Sequence, residues 1–395
     1  MNLKPIKVPD NSFLEKIGFY WHTDPNNTAY IASEVVEVTS DEADAYYEAS
    51  NELYEMFAEA GEYVIENELF HELGIPFNLI DTVKMSWDND VHWHLYGRFD
   101  LAGGLDGKPI KLIEFNADTP TALFETSIIQ WATLKANGME ESHQFNSLYE
   151  AIGDNFKRLV MLEDDIEGFN EHYDGWKILF SSVKDNPEEE STVKLLQTIA
   201  NEAGFITEFA YMEDVEFSGE DGIFYNDVNY EYWFKLYPWE DIGIEESDLA
   251  MLLTQIMENQ KAIILNPAYT LMFQSKAFMA ILWELYPNHP LLLETSFEPL
   301  EGIAQVEKKI FGREGANTII VDKNEEIVAQ TDGEYGEFAS IFQEYVELPK
   351  NDKGESYQAG VFYAYEGCGL GFRKGGLILD NASKFVGHVV TVEQV

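Results

Sequence analysis

His92–Leu101 reads HWHLYGRFDL and Ile110–Asn116 reads IKLIEFN, and the turn GGLDGK at 103–108 separates them. Both segments alternate apolar and polar residues, which is typical of β-strands. A short glycine-containing turn between two such runs indicates an antiparallel hairpin. We therefore predict a two-stranded hairpin here.

The hairpin carries four polar residues that strand formation does not require: Arg98, Asp100, Glu114 and Asn116. Residues two apart on a strand share a face, so each strand places its two polar side chains together. Two carboxylates and an amide offer the oxygen ligands that Mg²⁺ prefers, and an arginine offers a donor fork for a phosphoryl group. The pattern alone is equally compatible with a solvated strand face that carries an Arg–carboxylate pair.

The rest of the chain predicts an α+β protein. Helical periodicity covers 40–73, 125–162, 245–259 and 275–285. A β-α-β unit is predicted from patterns at 174–183, 189–203 and 205–212. From about 302 to 395 the chain reads mostly as strands joined by glycine turns. Because there is no Pro/Gly/Ser-rich linker and no internal repeat, we expect one interlocked unit with lobes.

Composition narrows the class of partner. The 395 residues include 72 acidic and 25 basic side chains, which gives a formal net charge of -47. Such a surface repels phosphodiester backbones and anionic lipid head groups, which argues against nucleic acid and membranes as partners. The acidity either attracts a polycation such as a polyamine or, more simply, keeps the protein solvated and dispersed.

The single cysteine, Cys368, allows no intrachain disulfide and indicates a reducing compartment. The N-terminal residues contain no apolar signal run, and no stretch reaches the roughly 18 apolar residues of a membrane span. We therefore expect a cytoplasmic protein.

Two glycine-containing segments carry further arginines. KKIFGREGAN at 308–317 places two glycines around Arg313, and GCGLGFR at 367–373 places three glycines before Arg373. Glycines let backbone N–H groups and a cationic fork approach a ligand closely. Neither segment is a P-loop or a dinucleotide fingerprint, and a plain hairpin turn is the competing interpretation of each.

Histidines and glutamates elsewhere have simple interpretations. His92 and His94 alternate along the first strand, as zinc ligands would, but the chain has only eight histidines and no cysteine pair. A strand-face position is favoured for both. Glu188–Glu190 follows Pro187, where carboxylates stabilise a helix N-terminus without any further function.

Eight segments together resemble the synthetase domain of the glutathionylspermidine synthase family, from about Gly18 to the C-terminus. They occur in the family's order: YGRFD (96–100), EFNADTP (114–120), NPEEE (186–190), FKLYPWE (234–240), NPAYTLMFQSKA (266–277), LYPNHPLLLET (285–295), KKIFGREGAN (308–317) and ELPK (347–350). Eight matches in order are far more specific than any one of them.

The resemblance implies an ATP-grasp fold with a pre-ATP-grasp β-α-β lobe. Within one catalytic unit, 1–395, that lobe would cover about 165–245, and the ATP-grasp lobes about 260–395 with 85–125. It also implies a reaction in which ATP phosphorylates a substrate carboxylate. An amine then attacks the acyl phosphate to give an amide, ADP and phosphate.

The same resemblance assigns site residues. It implies Mg²⁺ ligands at Asp100, Glu114 and Asn116, an arginine at the transferred phosphate at Arg98, and ATP contacts at Lys276, Lys308, the mobile-loop Gly315, Gln358 and the adenine hinge Glu344 to Glu347. It implies contacts to the phosphorylated intermediate or the acid at Arg313 and Arg373, and to the polyamine at Glu188 and Glu189. For the two glutamates, this interpretation outweighs that of a helix cap.

Three departures from the family pattern limit what is carried over. The chain begins too close to its synthetase region to hold the amidase of bifunctional members, so amidase activity is not expected. ADTPTALFE at 117–125 replaces the serine-rich stretch that binds glutathione, which predicts a different peptide or small acid. Asp380 and Asn381 replace family lysines, which removes a phosphate or substrate contact.

The favoured function is ATP- and Mg²⁺-dependent ligation of a peptide-like carboxylate to an amine. One alternative is a ligase whose amine is an amino acid or peptide. Another is a non-catalytic nucleotide-binding protein, which the arginines disfavour because nucleotide binding alone does not need them. The sequence leaves open the oligomeric state, both substrates, and the group that deprotonates the amine.

Overall fold

Helices and strands are interspersed along the chain, as predicted for an α+β protein. This computed structural model describes residues 1–24, 26–380 and 382–391. The helices are α1 (Asn11–Lys16), α2 (Ser40–Asn67), α3 (Ile80–Trp87), α4 (Gln130–Ala136), α5 (Leu148–Met161), α6 (Phe169–His172), α7 (Pro187–Glu202), α8 (Trp239–Glu245), α9 (Ser247–Glu258), α10 (Thr270–Gln274) and α11 (Phe278–Leu285). In this described part, no helix has the length and apolar character needed to cross a membrane.

Within the described residues, the strands form five sheets. They are β1 (Asn2–Pro5), β2 (Glu34–Thr39), β3 (Gly97–Ala102), β4 (Lys111–Asn116), β5 (Lys177–Ser182), β6 (Ile206–Tyr211), β7 (Glu216–Ser218), β8 (Gly222–Tyr225), β9 (Val228–Tyr230), β10 (Tyr232–Lys235), β11 (Ile263–Leu265), β12 (Thr295–Ser296), β13 (Gln305–Lys309), β14 (Ile319–Val321), β15 (Ile327–Gln330), β16 (Ser340–Glu344), β17 (Ser356–Ala364), β18 (Glu366–Gly375), β19 (Lys384–Val386) and β20 (His388–Thr391). The prediction that the C-terminal part is mostly strands is confirmed.

Strands β3 and β4 form the predicted antiparallel hairpin. The prediction that the first strand starts at His92 is wrong, because β3 starts at Gly97. The backbone before Gly97 hydrogen-bonds with side chains and not with a neighbouring strand. Asn266 Oδ1 accepts the Leu95 N–H at 2.9 Å, and Asn155 Nδ2 donates to the His94 carbonyl oxygen at 3.0 Å. In the turn, Gly103 has a φ of +77°, and an added Cβ would collide with the Pro109 carbonyl oxygen.

The hairpin belongs to a five-stranded antiparallel sheet of order β19-β18-β17-β3-β4. Its register sets Asp100 opposite Glu114 on one face. The intervening Phe99 and Phe115 are buried and stack with ring centroids 3.9 Å apart. Phe57 of α2 packs on this pair, with its centroid 5.0 Å from that of Phe115. Alternation therefore directs the aromatic residues into the core and the polar residues away from it.

A second five-stranded antiparallel sheet has the order β12-β16-β13-β14-β15. It is connected to the first sheet through Lys308 of β13. The Lys308 Nζ donates to Gln343 Oε1 at 2.8 Å within this sheet and to the Ile113 carbonyl oxygen on β4 at 3.5 Å. The Lys308 side chain thus links the two sheets.

A third sheet, of order β11-β10-β5-β6, is parallel. Helix α7 connects β5 to β6, so the predicted β-α-β unit is confirmed. Helix α7 begins at Pro187, two residues before the predicted start at 189, because Pro187 occupies its first turn and the Asn186 side chain accepts the Glu189 N–H.

The predicted helices are present with two corrections. Of the one or two helices predicted over 40–73, the structure has α2, which starts at a Thr39–Glu42 capping box and ends at Asn67, before Glu68 adopts the left-handed conformation with φ of 54°. The helix predicted at 125–162 is interrupted. It consists of a π-helical turn at Glu125–Ile129, then α4, then α5 after an irregular segment that starts at Gly138 with φ of +70°.

A candidate active site between two antiparallel sheets

A cavity lies between the two five-stranded sheets and brings together most of the predicted site residues. Its lining includes Arg98, Asp100, Glu114, Asn116, Lys276, Lys308, Arg313, Gly315, Glu344, Gln358 and Arg373. Glu188, Glu189 and Glu347 are outside that lining. Residues more than two hundred positions apart in the chain therefore line the same cavity. The polar face of the hairpin, for which the sequence left a binding site and a solvated strand face open, forms part of the cavity wall.

Arg98 and Asp100 form a buried ion pair on β3. The Arg98 Nε donates to Asp100 Oδ1 at 2.7 Å, and its Nη2 donates to Oδ2 at 3.0 Å. Arg98 Nη1 also donates to the Thr121 carbonyl oxygen at 2.6 Å. Burial opposes the charge on Arg98, but the neighbouring Asp100 outweighs it and raises the pKa of Arg98. The guanidinium is therefore fixed and cationic at the cavity wall.

Glu114 lies beside two lysines from distant parts of the chain. Lys276 Nζ is 3.2 Å from Glu114 Oε2 and donates to the Gly312 carbonyl oxygen at 2.6 Å. Burial raises the pKa of Glu114, but Lys276, Lys308 and Arg98 together outweigh it and hold that pKa at about 2. Burial in turn lowers the pKa of Lys308 to about 8. Glu114 is thus ionised throughout the physiological range.

The oxygen atoms at this end of the cavity suit a hard divalent cation. Asn116 Nδ2 donates to Asp100 Oδ2 at 3.3 Å, so the side-chain oxygen of Asn116 takes no part in that hydrogen bond. Over the described ranges, no cluster of three or more His, Cys, Asp or Glu side chains is arranged to hold a metal ion. Two carboxylates and one amide would therefore form an incomplete shell, which waters and phosphate oxygens commonly complete for Mg²⁺.

The glycine loop between β13 and β14 approaches the cavity through Arg313. Arg313 Nη1 donates to Thr119 Oγ1 at 3.1 Å, and Arg313 Nη2 pairs with Glu240 Oε1. Gly315 has a φ of +68°, and a Cβ there would collide with the Leu379 carbonyl oxygen. Glycine is therefore required at 315 by backbone conformation as well as by space.

The segment after β16 lines the cavity mainly with backbone and apolar atoms. The Glu344 N–H donates to the Glu294 carbonyl oxygen at 2.7 Å, and Tyr345, Val346 and Leu348 line the cavity. The Glu347 side chain is 62% exposed and instead pairs with Lys350 at 2.7 Å. Glu344 therefore lies at the cavity wall, whereas Glu347 lies outside the cavity lining.

A group of acidic residues borders the cavity near the start of α7. Burial, followed by the charges of Glu125 and Glu314, raises the pKa of Glu188 to about 7. Burial also raises the pKa of Glu189, whereas Arg313 opposes that rise. Glu125 is 1% exposed and accepts a hydrogen bond from Trp21 Nε1 at 2.9 Å. Carboxylates with raised pKa values lie close together here, and hydrogen bonds to Glu125 together with the charges of Arg313 and Arg373 offset part of that rise.

Arg373 joins this acidic group to the cavity. It lies on β18, opposite Gln358 on β17, and its charge opposes the raised pKa of Glu188. Its Nη2 donates to the Asp380 carbonyl oxygen at 2.6 Å. Asp380 therefore contacts the site through its backbone, and Asn381 lies outside the described residues.

Sequence reasoning did not single out several residues that the fold brings to this site. They are Tyr30, Asp118, Thr119, Thr121, Glu125, Lys235, Glu240, Asp241 and Gln343. Four of them, Asp118, Thr119, Lys235 and Glu240, lie inside segments that resemble the family, and Thr121 and Glu125 lie in the stretch 117–125 that departs from it, so the family comparison was an available signal. The other three have no such signal, because they reach the site only through tertiary packing.

His92 and His94 are both buried. His94 Nε2 hydrogen-bonds with the Ala117 carbonyl oxygen at 2.8 Å, and its ring stacks on Tyr54 with centroids 5.7 Å apart. Burial lowers the pKa of each histidine to about 4. Both rings are therefore neutral at physiological pH, and His94 serves the packing around the hairpin.

Comparison with known proteins agrees with this architecture. The family model described as glutathionylspermidine synthase pre-ATP-grasp matches residues 1–391. A Haemophilus influenzae protein named "Putative acid--amine ligase" is 31% identical over 386 residues, which cover 93% of this chain and 90% of that protein. The bifunctional glutathionylspermidine synthetase/amidase of Escherichia coli is 25% identical over 344 residues, or 80% of this chain and 52% of that protein. The chain thus matches about half the length of the bifunctional relative.

A solved structure supports the fold. The glutathione synthetase-like effector of Globodera pallida, in its apo form, aligns with a TM-score of 0.57 at 9% identity, over 97% of this chain and 98% of that one. The fold is the ATP-grasp fold with a pre-ATP-grasp β-α-β lobe, and its class is that of ATP-dependent acid–amine ligases. The chain belongs to the glutathionylspermidine synthase family.

Proposed function

We propose that the protein uses ATP and Mg²⁺ to join a peptide-like carboxylate to an amine, preferably a polyamine, through an acyl phosphate. The observation that carries this proposal is the convergence of Arg98, Asp100, Glu114, Lys276 and Lys308 on one cavity. Phosphoryl transfer depends on positioning and on charge stabilisation, and these residues supply fixed groups for both.

The nucleotide would lie between the two antiparallel sheets. Lys276 and Lys308 would hold its phosphates, Gln358 would contact it from β17, and the Glu344 to Glu347 segment would flank the base. Gly315 would let the loop backbone close over the phosphates. Asp100, Glu114 and Asn116 would hold Mg²⁺, which when bound would neutralise phosphate charge during transfer.

Three arginines would act on the reacting groups. Arg98 is locked by Asp100 and faces the cavity, so it can stabilise charge on the transferred phosphoryl group without reorganising. Arg313 and Arg373 would bind the carboxylate of the acid and then its phosphorylated form. Glu188 and Glu189 would bind the cationic amine, because burial raises the pKa of each and a bound cation would favour their ionised forms.

We also propose a division into lobes within one catalytic unit, 1–395. Strands β5, β6 and β10 of the parallel sheet fall within about 165–245, which would be the pre-ATP-grasp lobe. The strands of the two antiparallel sheets fall within about 260–395 and 85–125, which would be the ATP-grasp lobes. The buried Cys368 and the acidic composition support a cytoplasmic location and small-molecule or peptide substrates rather than nucleic acid or membrane partners.

The proposal is tested by measuring ADP release from purified protein with Mg²⁺·ATP over a matrix of acids and amines. Glutathione and short peptides would serve as acids, and spermidine, diamines and amino acids as amines. We expect turnover that requires both partners, and a product whose mass equals their sum less water. Stimulation by amino acids but never by polyamines would support the alternative amine class and refute the role of Glu188 and Glu189.

A nucleotide-binding protein without turnover is the alternative from another class. It would bind ATP tightly and release no ADP with any acid and amine pair. The buried Arg98–Asp100 pair disfavours that alternative, because a binding site alone gains little from an arginine held at such a cost in desolvation.

A further inference from the structure

Arg313 is held in the cavity by a residue of the region that contains the parallel sheet. Its Nη2 pairs with Glu240 of α8, whose side chain is 3% exposed, and its Nη1 donates to Thr119. A guanidinium has five N–H donors, so three remain for a ligand. The flanking Gly312 and Gly315 give the loop little stiffness of its own, so the arginine takes its position from these contacts.

Both contacts are themselves fixed by one buried carboxylate. Asp118 Oδ2 accepts the Trp239 N–H, at the first residue of α8, at 2.9 Å. Asp118 also accepts hydrogen bonds from Lys235 Nζ, at 3.1 Å to Oδ1 and 3.3 Å to Oδ2. Thr119 is its neighbour in the chain. The end of β10, the start of α8 and the loop after β4 therefore meet at Asp118.

The energetics favour a geometric role for the Lys235–Asp118 pair. Both side chains are 0% exposed. Burial raises the pKa of Asp118 and lowers that of Lys235, and their mutual attraction opposes both shifts. A buried ion pair is weak evidence for stability, because desolvation offsets the attraction, but its hydrogen bonds define a precise arrangement. Such supporting contacts keep a reactive group within a fraction of an ångström of its working position.

We propose that Glu240 is the positioning residue for Arg313, and that the Lys235–Asp118 pair fixes Glu240 and Thr119 relative to the glycine loop. The inference rests on the proposed ligase function, in which Arg313 meets the phosphorylated intermediate. Glu240 pairs with one nitrogen of the Arg313 guanidinium and leaves the remaining N–H donors for the substrate. Glu240 therefore acts through Arg313 and needs no contact with the reacting atoms.

The kinetic test compares Glu240→Gln, Arg313→Lys and the double variant with the wild-type full chain. Glu213→Gln is the matched control, because Glu213 pairs with Lys184 at 2.9 Å on the exposed surface. We expect Glu240→Gln to lower kcat about tenfold with less than about a twofold change in the KM for ATP. We also expect the double variant to be no slower than Arg313→Lys. Losses that multiply, or an unchanged kcat in Glu240→Gln, would overturn the proposal.

Hydrogen–deuterium exchange of the amides at 312–316 gives a second readout that needs no turnover. In Glu240→Gln these amides should exchange about tenfold faster than in the wild type, whereas those of β5 and α7 should not change. Equal loop exchange in the two proteins would refute positioning by Glu240. If the wild type turns over no acid and amine pair, the proposed function fails, and the exchange result still decides the role of Glu240.

Discussion

The two ends of the cavity carry similar carboxylates in opposite electrostatic settings. At the hairpin end, Glu114 is opposed by Lys276, Lys308 and Arg98, and its pKa is held at about 2. At the α7 end, burial and neighbouring carboxylates raise the pKa of Glu188 to about 7. The same residue type is therefore held ionised at one end and is much more readily protonated at the other.

This difference supports the ligand proposed for each end. At the hairpin end the cations already offset the carboxylates, so a metal ion would be favoured most when anionic phosphates accompany it. At the α7 end negative charge is under-compensated, so a cation without an anionic companion lowers the free energy most. The comparison supports the proposal that the nucleotide binds at one end and the amine at the other.

The largest expected effect comes from breaking the hairpin end. Glu114→Gln removes a carboxylate that the two lysines and the metal would share, so we expect kcat to fall about 10³-fold. ADP release at saturating ATP measures this change. The paired surface variant Glu213→Gln should keep wild-type turnover. A fully active Glu114→Gln with an unchanged circular dichroism spectrum would exclude the metal assignment.

A smaller effect is expected at the α7 end. Glu188→Gln removes a partly buried negative charge that pairs with the amine, so the KM for the amine should rise about thirtyfold while the KM for ATP stays within about twofold. Initial rates over an amine titration measure both constants. Equal increases in the two KM values would mean that Glu188 supports the whole site and does not select the amine.

The pH dependence sharpens the same contrast. Because the pKa of Glu188 is raised to about 7, the carboxyl group is neutral below that pH and anionic above it. An amine with a pKa near 10 stays cationic throughout, so its KM should fall about tenfold per pH unit up to pH 7 and then level off. Glu188→Gln should give a flat profile between pH 5.5 and about 8. A wild-type profile without a break would contradict the assignment.

The smallest effect is expected at the rim. The Glu347 side chain pairs with Lys350 and is 62% exposed, so Glu347→Gln should change the KM for ATP by less than about twofold. A tenfold change would mean that this side chain turns into the cavity when the nucleotide binds.

Local sequence pattern predicted the hairpin, the β-α-β unit and the strand-rich C-terminal part, because each depends on periodicity or on a short turn. It failed at His92–Tyr96, where Asn155 and Asn266 bind the backbone in place of a neighbouring strand. It also failed at 125–162, where a π-helical turn and Gly138 interrupt the helix. These interruptions depend on distant partners or on backbone conformation, which apolar periodicity does not record.

The sequence by itself determined that Arg98 and Asp100 share one face and Phe99 the other, since a strand alternates with a period of two residues. Resemblance then selected Lys276, Lys308 and Arg313 as their companions. Only the tertiary structure decided that Glu125 faces Glu188, and that Glu240 holds Arg313 above the buried Asp118. The physical reason is range: strand alternation is set by neighbouring residues, whereas burial and charge depend on which distant segments pack together.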